Sequence, residues 1–268
     1  MTLLCKPIIG GHHAGVSQPY SSLEAQLHDA LQAQNGPSPE LPLMQDFLRE
    51  HPGRALEIGC GSGRLLRPLR EAGFEVEGLE LSTDMIACAD PELATHIHQG
   101  DMNNWSPETP YNCLLAPAFT LQLAKDPIAT LHHWRNWLVP GGGIYLSTFV
   151  PYAELLGELP EGKWYLDHQI SLPNGEHAIL ETRHQVHEDE QKITRHHRYQ
   201  ITGRAPRSHE STQIIRWGEP EQWLQWLATS GFESTFQFLD WDQTHIDNQP
   251  GPEDYDGICT TLGLAIEP

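Results

Sequence analysis

Ala55-Leu56-Glu57-Ile58-Gly59-Cys60-Gly61-Ser62-Gly63-Arg64-Leu65-Leu66 reads as a short buried strand, a turn with glycine at every second position, and the first residues of a helix. Glycine is the residue for a turn of positive φ and for close approach of backbone to a bound group, and helix-start amides donate to an anion. A tight strand-to-helix connection alone uses the same residues, so the surroundings decide. The next apolar run, Glu75 to Leu79, ends in Glu80, about 20 residues beyond the turn, where an acidic side chain can accept both hydroxyls of a ribose.

The pattern continues outward from this unit. Leu65 to Ala72 reads as a helix, Met85 to Ala89 as the start of another, His96 to Gln99 as a third strand, Cys113 to Ala116 as a fourth, Ile128 to Leu138 as a helix and Gly143 to Phe149 as a fifth strand. Strands alternating with helices predict a doubly wound, Rossmann-like α/β sheet covered on both faces. Upstream, Leu23, Leu27, Ala30 and Leu31 form one helical stripe, and Leu43, Phe47 and Leu48 a second. Downstream come a helix over Glu219 to Thr229 and strands around Ser234 to Trp241 and Ile258 to Ile266, which bring the sheet to seven strands.

Between these halves, Trp164 to Trp217 alternates like antiparallel strands. With Glu188 to Gln191 as a turn, Val186 faces Ile193, His184 faces Arg195, Thr182 faces His197 and Leu180 faces Tyr199; this face is expected to be covered. The other face pairs His187 with Lys192, Gln185 with Thr194, Arg183 with His196 and Glu181 with Arg198. The division expected is therefore an arm over residues 1–19, a Rossmann-like body over 20–150 and 218–268, and an antiparallel hairpin insert over 151–217.

Charge and composition bound the partners. The 268 residues carry 16 basic and 36 acidic side chains, a net charge of −20, which repels phosphate backbones and anionic lipid. Small molecules are the better class, with no nucleic acid and no membrane among the expected partners. Five scattered cysteines without CxxC spacing suit a reducing compartment. The first residues lack the apolar run of a signal peptide and no stretch approaches a membrane span, so the expected location is cytoplasmic.

The GxGxG pattern with Glu57 two positions before its first glycine, Gly100-Asp101-Met102 after the third strand, and Leu138-Val139-Pro140-Gly141-Gly142-Gly143 before the fifth together resemble the motifs of class I S-adenosylmethionine-dependent methyltransferases. The resemblance spans residues 20–268. It implies an S-adenosyl-L-methionine cofactor and methyl transfer to a small-molecule acceptor, with S-adenosylhomocysteine as by-product. The implied cofactor contacts are Glu57, Gly59, Gly61 and Gly63 around the amino-acid end, Glu80 at the ribose, Asp101 at the adenine amino group, Met102 on the ring face, and also Leu81, next to Glu80, and Ala116, at the end of the fourth strand.

Departures narrow the acceptor. Asn112 stands where the fourth strand is usually entered through an acid, and Ala116-Pro117-Ala118-Phe119 is not the NPPY signature of amino-methylating DNA enzymes. The insert, with Trp164-Tyr165-Leu166-Asp167 and Arg198-Tyr199, is similar to that of the small-molecule branch containing glycine and sarcosine N-methyltransferases, where it lies over the acceptor pocket. Tyr20, Phe119, Trp164 and Arg195 are the acceptor candidates, and His184, His197 and Tyr199 the candidates for an optional general base. Adjacent histidine pairs such as His132-His133 point in different directions, so no metal site is expected. Two other functions fit less of the pattern: a nicotinamide-dependent oxidoreductase leaves Asp101-Met102 and the PGG turn without a role, and a catalytically silent S-adenosylmethionine-binding regulator would share the cofactor residues.

Overall fold

The structure is a computed structural model that describes residues 19–203, 205–241, 244–245 and 257–266; the arm expected over 1–19 lies, apart from Pro19, outside them. Helices α1 (Ser22–Gln32) and α2 (Glu40–Glu50) precede β1 (Ala55–Ile58), α3 (Leu66–Glu71), β2 (Val76–Glu80), α4 (Thr83–Cys88), α5 (Pro91–Ala94), β3 (Ile97–Gln99), β4 (Tyr111–Ala116), α6 (Pro127–Arg135) and β5 (Leu138–Phe149). After α7 (Tyr152–Leu155) come β6 (Tyr165–Ser171), β7 (His177–His187), β8 (Lys192–Thr202) and β9 (Arg207–Arg216), then α8 (Pro220–Thr229), β10 (Phe232–Leu239), β11 (Thr244–His245) and β12 (Ile258–Ala265).

The main sheet has the order β11-β10-β12-β5-β4-β1-β2-β3. Seven of its strands form the doubly wound sheet expected, and the two-residue β11 adds an edge. Strands β3, β2, β1, β4 and β5 are parallel, β12 runs antiparallel to β5, and β10, antiparallel to β12, resumes the first direction. The order reverses between β1 and β4, so a crevice opens at the carboxyl ends of these strands, where ligands bind in open α/β sheets.

Alternation along the strands separates two cores. Leu56, Ile58, Leu114 and Ala116 join Trp134, Trp137, Trp223 and Leu227 from the α6 and α8 side. Ala55, Cys113, Leu115 and Tyr145 join Met44, Phe47, Leu66 and Leu69 from α2 and α3. The tryptophans spaced three apart are thus core. Asp126 caps α6 by accepting from Ala129 N at 3.0 Å, and the helix ends at Arg135, before the expected Leu138. Strand β5 starts early: Tyr111 pairs with Leu138 and Cys113 with Gly143, so the proline–glycine run bulges out of the ladder, with Gly141 at φ 71°.

The inserted region is larger than one hairpin, being a four-stranded antiparallel sheet in the order β6-β7-β8-β9. Every pair expected within β7–β8 occurs. Its covered face carries Leu180, Tyr199, Ala178, Ile170 and Ile201, which pack with Leu23, Leu27 and Leu31 of α1. Ala30 is exposed, and Glu24 and Ala25 complete the buried stripe instead. Among the described residues no helix is long and apolar enough to cross a membrane.

Candidate active site

One cavity of about 470 Å³ lies between the carboxyl ends of β1, β2 and β4 and the covered face of the second sheet. Its floor is the glycine turn. Gly59 and Gly61 have φ 70° and 60°, and a Cβ on Gly59 would stand 2.6 Å from Thr120, so neither position admits a side chain without strain. Gly63 does not line the cavity: a Cβ there would meet Leu93 at 2.4 Å, so this glycine serves packing of the turn on α5.

Glu57 alternates onto the α2 and α3 face of β1, is 2% exposed and lines the cavity. Its Oε2 has no hydrogen-bond partner. Burial raises its pKa to about 8; Arg64 opposes this, and Glu40 and Glu80 add to it. Glu80 accepts from Gly61 N at 2.9 Å and Ser82 N at 2.7 Å, which fixes its carboxylate at the turn, and burial raises its pKa. Asp101 accepts from Asn103 N at 2.9 Å, and the Met102 carbonyl accepts from Trp134 Nε1 at 3.0 Å. Leu81 is 44% exposed although apolar, on the cavity wall beside Glu80.

The far wall comes from α1 and the second sheet. The Tyr20 hydroxyl accepts from Gln213 Nε2 at 3.0 Å, and its pKa is pushed up to about 12, first by burial and then by Glu24. Three bonds latch this end of α1 to the turn region: Ser82 Oγ donates to the Tyr20 carbonyl, Ser22 N to Asp84 at 2.6 Å, and Ser62 Oγ to Asp29 at 2.6 Å. Arg195 faces the cavity but binds Glu154 through Nε at 2.9 Å and lies over the Phe149 ring. The Tyr199 hydroxyl donates to buried Glu24 at 3.0 Å, and burial with the Glu24 charge raises its pKa, so this proton is committed.

His197 lines the cavity. Burial, then the Arg195 charge, lowers its pKa to about 4, which keeps the imidazole neutral at physiological pH. His184 and Trp164 lie elsewhere. His184 is completely buried within the second sheet, both ring nitrogens unpartnered, 6.0 Å from the Tyr165 ring. Its place in the register was expected, but the face it shares is wider than the cavity. Trp164 meets the guanidinium groups of Arg183 and Arg198 at 5.1 and 4.0 Å, on the face directed away from the cavity. Ala116 also falls short of the wall; Pro117, Ala118 and Phe119 line it instead. Ala118 and Phe119 both adopt positive φ, 51° and 63°, a conformation costly for residues with a Cβ. Glu40 of α2 accepts from Ala118 N at 3.0 Å and so holds this turn. Periodicity carries no signal for either feature. Among the described residues no group of three or more His, Cys, Asp or Glu could hold a metal ion.

A family model described as a methyltransferase domain matches residues 32–235. The chain belongs to the class I S-adenosylmethionine-dependent methyltransferases. This methyltransferase is 27% identical over 201 residues, 68% of its own length and 78% of the relative's, to the dTDP-3-amino-3,6-dideoxy-alpha-D-glucopyranose N,N-dimethyltransferase of Streptomyces fradiae. Its fold is shared with an S-adenosylmethionine-dependent methyltransferase from Clostridium acetobutylicum, at TM-score 0.72, 12% identity and coverage of 91% of this chain and 98% of that one. It is shared too with the sugar N-methyltransferase KedS8 from a Streptoalloteichus species, at TM-score 0.69, 19% identity and coverage of 100% and 99%. The finer resemblance to glycine and sarcosine N-methyltransferases is not shown by these relatives.

Proposed function

We propose that this chain methylates an amine on a small acceptor, with a nucleotide-linked amino sugar as the acceptor class to try first. The observation that carries this reading is a single cavity with two chemically distinct ends. One end joins the glycine turn, Glu57, Glu80, Leu81, Asp101 and Met102; the other joins Phe119, Asp167, Arg195 and His197. At about 470 Å³ it lies within the roughly 300–1,000 Å³ range of small-molecule sites.

The first end fits S-adenosylmethionine on two counts. The unpartnered buried Oε2 of Glu57 suits the ammonium of the amino-acid end, whose charge would favour the ionised carboxylate, and exposed Leu81 supplies an apolar edge for the adenosine. Glu80 would hold the ribose hydroxyls, Asp101 the adenine amino group and Met102 the ring face, with Gly59 and Gly61 giving the backbone room. When bound, the cofactor supplies a sulfonium methyl that an acceptor lone pair can take in line. The protein aligns the two and excludes water, an effect worth on the order of 7–11 kcal/mol in favourable cases. Tyr20 and Phe119 bound the acceptor, and the neutral His197 ring faces it. Residues 20–150 and 218–268 act as the cofactor-binding body and 151–217 as the acceptor-side insert. The reading includes a cytoplasmic protein that acts on free small molecules rather than on nucleic acid or a membrane surface, which the charge of −20 supports.

Isothermal titration tests the reading: S-adenosylmethionine and S-adenosylhomocysteine bind one per chain, while NADH gives no heat. A folded protein that binds neither adenosyl ligand overturns it. Binding without transfer to any amine, hydroxyl or thiol acceptor would instead mark a silent regulator.

A further inference from the structure

Strand β6 does not pair regularly with β7. Tyr165 pairs with Thr182 and Leu166 with Glu181, but the next pair is His168 with Leu180, which leaves Asp167 as the extra residue of a β-bulge. Consecutive residues of a regular strand point to opposite faces; a bulge turns one of them. Here Asp167 and His168 both line the cavity. The Asp167 side chain is 34% exposed, with Oδ1 3.5 Å from His168 Nε2, and its Oδ2 accepts from Thr182 Oγ1 at 2.8 Å. Thr182 is itself buried and lies 3.0 Å from His197 Nδ1. A carboxylate can only accept, so the threonine hydrogen goes to Asp167 and its oxygen accepts from His197 Nδ1–H. The imidazole is thereby held in one orientation, with a second hydrogen bond to the Gln213 side chain.

We propose that Asp167, Thr182 and His197 form the acceptor-amine site, in which Asp167 receives the ammonium form and selects an amine over a hydroxyl. This rests on the small-molecule amine reading above. The ammonium releases one proton to solvent and recovers its lone pair. That pair forms the N–C bond to the methyl carbon while the C–S pair passes to sulfur, and the product leaves as a methylated ammonium. Thr182 ties Asp167 to the neutral His197 ring and is a positioning residue. An alcohol offers Asp167 no cation, so it gains nothing from that carboxylate.

The test uses the full chain, S-adenosylmethionine and two probes, dTDP-3-amino-3,6-dideoxyglucose and its 3-hydroxy counterpart. Asp167→Asn should lower kcat/KM for the amine on the order of 10²-fold, chiefly through KM, and leave cofactor affinity within about twofold by titration. Thr182→Val, of the same shape, should lower kcat about tenfold with KM little changed, and Thr182→Ser, which keeps the hydroxyl, should restore it to within about threefold. Asp167→Asn with unchanged amine kinetics, or Thr182→Ser as slow as Thr182→Val, overturns the assignment. A wild-type chain that binds the cofactor but leaves the amine unmethylated overturns the amine reading itself, a separate result.

Discussion

Glu57 and His197 sit in one cavity and titrate abnormally in opposite senses. In the folded chain Glu57 keeps its proton to about pH 8 against a usual 4.5, so its contribution to stability is complete below 4.5 and is lost as pH rises through 8. His197 loses its proton only near pH 4 against a usual 6.5; its contribution is complete above 6.5 and is lost as pH falls through 4. Thermal unfolding followed from pH 4 to 9 should therefore give a curve that declines on both flanks. Glu57→Gln should flatten the alkaline flank, raising Tm above pH 8 by a few degrees, at roughly 2–4 °C per kcal/mol for a chain of this size. The same variant should weaken S-adenosylmethionine binding on the order of tenfold, because it removes a carboxyl group that the ammonium of the proposed cofactor would ionise and pair with. Higher stability with lower affinity would mark Glu57 as a residue kept for binding. Its position two before the first glycine was legible in the sequence; its lack of a partner was not, because that depends on how α2 and the Arg64 side chain pack around it.

At the scale of elements, the turn after β4 owes its shape to α2. Ala118 and Phe119 hold left-handed backbone, about 1–2 kcal/mol each for residues other than glycine, and the ring of Phe119 reaches Phe149 at 4.7 Å and Trp241 at 6.3 Å. The Glu40 carboxylate accepts from Ala118 N at 3.0 Å and the Tyr145 hydroxyl at 3.3 Å. Glu40→Ala takes this acceptor from the buried Tyr145 hydroxyl and from the cavity-facing Ala118 N–H, worth about 1–3 kcal/mol, so Tm should fall by several degrees in a melting experiment while the strand order survives. The hairpin register over β7–β8 was readable residue by residue, because alternation and a turn of fixed length determine it. The bulge at Asp167 and the paired left-handed residues were not. Both break the periods from which elements are read, and each is imposed by partners distant in sequence.

For the whole molecule, the net charge of −20 acts as self-repulsion in the compact state, and salt screens it over about 8–10 Å at physiological strength. Raising NaCl from about 0.02 to 0.5 M should increase Tm by a few degrees, measured by calorimetry without ligand; a fall would mean that the paired surface charges outweigh the excess. The latch between α1 and the glycine-turn region has a kinetic meaning. Leu23, Leu27 and Leu31 share a core with the second sheet, while Ser22, Asp29 and Tyr20 are bolted to residues beside the cofactor end. The far wall of the cavity is thus continuous with the strap at the glycine turn, and in the proposed arrangement a seated acceptor would close the way out for a cofactor beneath it. Turnover should be strictly ordered: cofactor on first, methylated acceptor off next, S-adenosylhomocysteine last. The last-leaving product would then inhibit competitively against S-adenosylmethionine and noncompetitively against the acceptor, making the cell's ratio of the two adenosyl species the throttle on the reaction.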